Sequence, residues 1–114
     1  MSRMFSECTQ LDNIDLLSFD TKNVNKMDYM FSGCNNLKSI NISSFDINNV
    51  NKMNGMFYGC KDLRSIDISN FIFKKDIEIF DIFYRCDNLK EIIVNESCPK
   101  YLKEKYKGIN ILFI

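Results

Sequence analysis

The sequence predicts an α/β solenoid, in which 26-residue units stack in register with short parallel strands on one face and short helices on the other. Two observations predict it. First, the phrase NVNKMDYMFSGC at residues 23–34 returns as NVNKMNGMFYGC at residues 49–60. Residues 8–33 laid over 34–59 without a gap agree at fourteen of 26 positions, and 34–59 over 60–85 agree at nine, so the chain is a tandem repeat. Second, each unit carries two hydrophobic periods, one suited to a strand and one to a helix. A unit this small cannot bury its apolar stripe alone, so neighbours must stack to form a continuous core.

The repeat ladders are unbroken. Cys8, Cys34, Cys60 and Cys86 form one, and Leu11, Leu37, Leu63 and Leu89 another. Ile14, Ile40, Ile66 and Ile92 follow, then Leu16, Ile42, Ile68 and Val94, with Phe5, Phe31, Phe57 and Phe83 in a further row. The pattern L-x-x-I-x-[LI] at Leu37–Ile42 ends in strict alternation, which predicts a short strand with Ile40 and Ile42 inward. Val24, Met27, Met30, Phe31 and Cys34 follow a helical period and predict a short amphipathic helix. Asp20, Thr21 and Asn23 offer N-caps to it, and Gly33 a left-handed stop. The combination is the leucine-rich-repeat geometry, a right-handed leucine-rich-repeat solenoid with about four repeats over residues 1–98, the first incomplete and the third and fourth degenerate.

The ends read differently. Met1, Met4, Phe5 and Cys8 align with Met27, Met30, Phe31 and Cys34, so the chain opens inside a helix. The uncapped N-terminal end fits first a fragment or degenerate copy of a longer array, or an end covered by residues outside it, and second self-association of two copies through that end. In the third unit Ile72–Ile79 replaces the repeated phrase, and Ile72, Phe73 and Phe80 add apolar bulk, either as a transition toward a cap or as a partner contact. Pro99 suits the first turn of a helix over 99–107, Gly108 its stop and 110–114 a final strand, together a C-terminal helix-strand cap over 99–114.

The phrase FDTKNVNKMDYMFSGCNNLKSINISSFD resembles the repeat of the BspA-like leucine-rich proteins, a bacterial surface class. The match is close over residues 4–71 and fades through 72–98. The resemblance implies a leucine-rich solenoid with an adhesive or protein-binding role, located at the cell surface or secreted. No export signal stands in the sequence, which keeps a cytoplasmic location open.

Composition narrows the chemistry. Fifteen basic and fifteen acidic residues cancel, which argues against a nucleic-acid partner, and no run of about 18 apolar residues predicts membrane insertion. The chain has no His, which removes Ser-His-Asp triads, Cys-His pairs and His-containing metal sites. With no Gly-rich phosphate loop either, the sequence reads as non-enzymatic and without a cofactor. The 26-residue spacing of the cysteines suits buried packing better than zinc, whose ligands come in close pairs, or disulfides. Cys98 lies outside the ladder and is the candidate reactive or pairing thiol.

Function therefore falls to the surface. The candidate partner-binding face is the outward side of the strands: Asn13, Ser39, Ser65 and Glu91 in one column, Asp15, Asn41, Asp67 and Ile93 in the next. A second candidate is the aromatic edge formed by Tyr58 and Tyr84. The expected role is a protein-interaction or adhesion module. The alternative is a fragment or degenerate repeat copy that acts as a scaffold with no ligand of its own.

Overall fold

A computed structural model describes residues 1–9 and 16–114. Its regular elements are β1 (Ser65–Asp67), β2 (Glu91–Val94), α1 (Lys100–Lys105) and β3 (Asn110–Phe113). The strands form one parallel sheet in the order β1-β2-β3. Ser65 lies beside Glu91 and Asp67 beside Ile93, while Ile92 and Ile93 lie beside Ile111 and Leu112. Alternation places Ile66, Ile92 and Val94 in the core.

This architecture corrects the predicted fold class. The described residues contain three strands and one short helix in a small compact body, and no helix-backed leucine-rich-repeat solenoid. Residues 28–33 and 54–59 are turns, not helices, and Lys26 and Lys52 before them form isolated parallel bridges. The backbone shows why. Tyr29 and Gly33, Gly55 and Gly59, and Asp81 and Arg85 all take positive φ, between 56° and 74°, so two left-handed residues four apart interrupt each unit and no α-helix can propagate through it.

The N–H groups follow this alternation. Those of Met30, Ser32 and Cys34 close local turns onto Met27, Tyr29 and Phe31. Those of Met27, Tyr29, Phe31 and Gly33 instead donate to the carbonyls of Lys52, Asn54, Met56 and Tyr58 in the next unit, at 2.7–2.8 Å. Met53, Gly55, Phe57 and Gly59 repeat this toward Glu78, Phe80, Ile82 and Tyr84. Turns with apolar residues at i, i+3, i+4 and i+7 thus bury the stripe expected of a helix while their backbone bonds run between units. Thr21 is not a helix cap: its buried hydroxyl donates to the Asp46 carbonyl at 3.0 Å and accepts the Asp46 N–H at 2.8 Å. Leu37–Ile42 keeps its alternation, with Asn41 exposed and Ile42 buried, but forms no strand.

The core is the set of ladders. Met27, Met30, Met53 and Met56 are fully buried, with Ile79 and Ile82 taking the methionine positions in the third unit. Phe5, Phe31, Phe57 and Phe83 stack along the molecule with ring centroids 5.4–5.8 Å apart, and Tyr106 meets Phe83 edge-on at 5.5 Å. The Tyr106 hydroxyl accepts the Phe83 N–H at 3.1 Å, the bond that Phe57 makes with the Ile82 carbonyl. A six-residue helix is too short to persist alone. The buried Leu102 and this Tyr106 contact hold α1 in place.

Gly55 shows how tightly the turns pack. Its column also holds Tyr29 and Asp81, both at positive φ, so conformation alone does not require glycine there. A Cβ at Gly55 would collide with the Tyr29 ring. Gly55→Ala is expected to displace Tyr29 and lower unfolding free energy by about 1–3 kcal/mol, read as the urea midpoint. Gly108→Ala, where an added Cβ meets nothing within 4 Å, is the comparison.

Candidate functional site

The structure sorts the predicted face into separate roles. Asn13 and Asp15 lie outside the described residues. Ser39, Asn41, Ser65 and Asp67 are exposed, and Glu91 and Ile93 are half-buried. Asn41 and Asp67 come together with Ser43, Ser69 and Asn70 around a shallow cleft of about 280 Å³.

The polar atoms of that cleft hold its own backbone. Asn41 Oδ1 accepts the N–H of Ser43 at 3.0 Å and its hydroxyl at 2.7 Å. Asp67 Oδ1 does the same for Ser69, at 2.9 and 2.6 Å. Asn70 Nδ2 donates to the carbonyls of Ile42 and Phe45, both at 3.0 Å. These are Asx turns that bend the chain after each strand position. Asn95 and Ser97 make the same turn after β2, two residues later in phase.

The cysteine ladder has a partner that sequence reasoning missed. Cys34 Sγ donates to the Phe5 carbonyl at 3.1 Å, Cys60 Sγ to Phe31 at 3.1 Å and Cys86 Sγ to Phe57 at 3.0 Å. Each thiol ties its unit to the preceding one, which an inert small hydrophobe could not do. Burial pushes the Cys34 thiol up to about 11 and Cys86 up to about 12, and raises Cys60 as well. All five cysteines are free. Cys98, the candidate reactive thiol, is buried and its pKa raised, the opposite of an activated nucleophile. Among the described residues no group of three His, Cys, Asp or Glu is placed to hold a metal, and no helix is long and apolar enough to cross a membrane.

Aromatics line the turn edge and the tail, Tyr29 and Tyr58 half-buried and Tyr84 exposed. Tyr29, Tyr58 and Tyr84 follow one another at 6.4 and 5.5 Å. Phe80, 58% exposed, meets Tyr101 edge-on at 5.9 Å, and Tyr84 and Tyr101 are also exposed. Lys105 sits among them, 6.0 Å from the Tyr84 ring and 5.8 Å from the Tyr101 ring, and ion-paired with Asp81 at 3.1 Å. That carboxylate raises the Lys105 pKa. Arg85 lies 5.7 Å from the Tyr84 ring, and Arg3 caps the far end over Tyr29 at 4.6 Å. Of the extra apolar residues of the third unit, Ile72 and Phe80 are exposed and Phe73 is buried. The missed members, Tyr101 and Lys105, belong to the tail, where only the fold reveals their proximity to Tyr84.

These features define a small body of turn units joined by thiols and phenylalanines, with a short helix and a strand at the C-terminal end. One family model matches residues 1–96, that of the family described as Mycoplasma protein of unknown function, DUF285. The chain belongs to that family. This match corrects the resemblance to BspA-like leucine-rich proteins, since no leucine-rich-repeat family matches. No curated protein and no solved structure matches the chain.

Proposed function

We propose that the chain is a non-enzymatic interaction module that binds a protein partner through its aromatic edge. One observation carries this reading: Phe80, Tyr84 and Tyr101 stand exposed around Lys105 and Arg85. Tyr and Arg are the side chains that anchor interfaces, presenting large apolar area with a polar tip. The strand-face cleft offers less, because Oδ1 of Asn41 and Oδ1 of Asp67 are engaged by Ser43 and Ser69 respectively, and among the described residues no aromatic or arginine side chain lines it.

The test is selection of a displayed peptide library on the wild-type chain, followed by titration of the best peptide. Tyr101→Ala and Phe80→Ala are each expected to weaken that peptide at least tenfold, about 1.4 kcal/mol. Asn41→Lys with Asp67→Lys is expected to leave its affinity unchanged. A peptide lost on the second pair alone moves the site to the strand face. No edge-dependent peptide at all leaves the scaffold reading in possession.

A further inference from the structure

We propose that β3 is a self-association edge, where two copies of the chain join antiparallel about a two-fold axis centred on Leu112. β3 ends the sheet, and among the described residues nothing pairs with its outer side. The opposite side of the sheet differs, because the Arg64 N–H donates to the Lys38 carbonyl of the preceding unit. Asn110 and Ile114 donate their N–H groups inward to Lys90 and Val94. Strand alternation therefore turns the N–H and C=O groups of Ile111 and Phe113 outward.

Natural edges carry charge, proline or a bulge that blocks pairing. Residues 108–114, GINILFI, have no charged side chain and no proline. Leu112, Phe113 and Ile114 are exposed, Ile114 at 79%.

The outward groups are self-complementary. With Leu112 opposite its own copy, Ile111 faces Phe113 of the second copy and the two exchange N–H···O=C bonds. The axis repeats the exchange, giving four backbone bonds and continuing the sheet through both molecules. No charged side chain of β3 itself is opposed across the axis, and Lys103 Nζ lies over the Phe113 ring of its own copy at 5.3 Å. On the outer face Leu112 meets its copy, flanked by Ile93 from β2. The N-terminal end lacks this complementarity: the carbonyls of Ser2, Met4 and Ser6 take no hydrogen bond from the described residues, so two such ends would set acceptor against acceptor. A four-residue edge is a small interface, so association is concentration-dependent, with Kd between about 1 µM and 1 mM.

Sedimentation velocity of the full chain from about 5 µM to 1 mM tests the proposal. The expected result is a monomer–dimer equilibrium that stops at two. Hydrogen exchange at high concentration is expected to protect the Ile111 and Phe113 amides while leaving that of Asn110 unchanged. Leu112→Lys, which keeps β3 on β2 but sets two ammonium groups face to face, is expected to weaken the dimer at least tenfold with an unchanged melt. Phe113→Pro, which removes one outward N–H, is expected to do the same, and Ile72→Lys on a distant surface to leave the dimer intact. A wild-type monomer throughout, an open-ended series of oligomers, or a dimer unaffected by Leu112→Lys overturns the proposal.

Discussion

Replacing Phe57 with Ala is expected to cost about 3–5 kcal/mol and to abolish or sharply lower the cooperative thermal transition. A domain of this kind has only about 5–15 kcal/mol of stability to lose. Phe57 is fully buried, and its ring is stacked between Phe31 at 5.5 Å and Phe83 at 5.8 Å. Its removal opens a void at the centre of the column and withdraws contacts from both neighbours. Phe80→Ala removes a side chain of the same size from the surface and is expected to shift the melting temperature little. Circular dichroism melts of the two variants make the comparison. Equal losses would show that the phenylalanine column does not hold the stack together.

The second large effect is alkaline. The thiols of Cys34 and Cys86 are pushed by burial from an ordinary value of 9.0 to about 11 and about 12, and Cys60 shifts in the same direction. Above pH 9 the unfolded chain releases these protons while the folded chain keeps them. Rising pH therefore favours unfolding, by up to about 1.4 kcal/mol per pH unit for each thiol. Three ladder thiols give a slope of up to about 4 kcal/mol per unit, beginning near pH 9 and easing once the folded thiols ionise. Below pH 9 they contribute no slope, so their stabilisation is fully present there. Urea midpoints at pH 8, 9 and 10 measure this. Cys60→Ala is expected to reduce the slope, by less than about a third because Cys98 and Tyr106 are raised by burial as well, while lowering stability at pH 8 by about 1–3 kcal/mol through the loss of the bond to Phe31. An identical slope in wild type and variant would show that the Cys60 thiol is not held protonated by the fold.

The ladders were legible in the sequence, and the local geometry was not. Cysteine, leucine and phenylalanine at a constant offset announce stacking, because only side chains that meet their own copies need to recur in phase. Met27, Met30, Phe31 and Cys34 also fit a helical period, and here the periodicity misleads. Successive four-residue turns present the same face, and only backbone φ separates the two. The glycines at 33, 55 and 59 carried that information, although Tyr29, Asp81 and Arg85 take the same conformation without glycine and so hide it.

At the strand face, Asn41-Ile-Ser43 and Asp67-Ile-Ser69 are the spacing of Asx turns, which marks the two acceptors as engaged with their own backbone. The aromatic edge was half visible. Tyr58 and Tyr84 recur in phase, whereas Tyr101 and Lys105 reach them only through the docking of α1, which no periodicity describes.

The hydroxyl of Tyr106 has a consequence for how such chains change length. It occupies the place of a carbonyl from a further unit, so the column ends in a side chain that belongs to the tail and not to the repeat. A tandem duplication of one whole 26-residue unit upstream of it would lengthen the molecule and preserve every junction, each new cysteine finding a phenylalanine carbonyl and the final phenylalanine still finding Tyr106. An insertion of one or two residues would break a complete set of those bonds at once. In this architecture a duplication of 26 residues therefore keeps the inter-unit bonds in register.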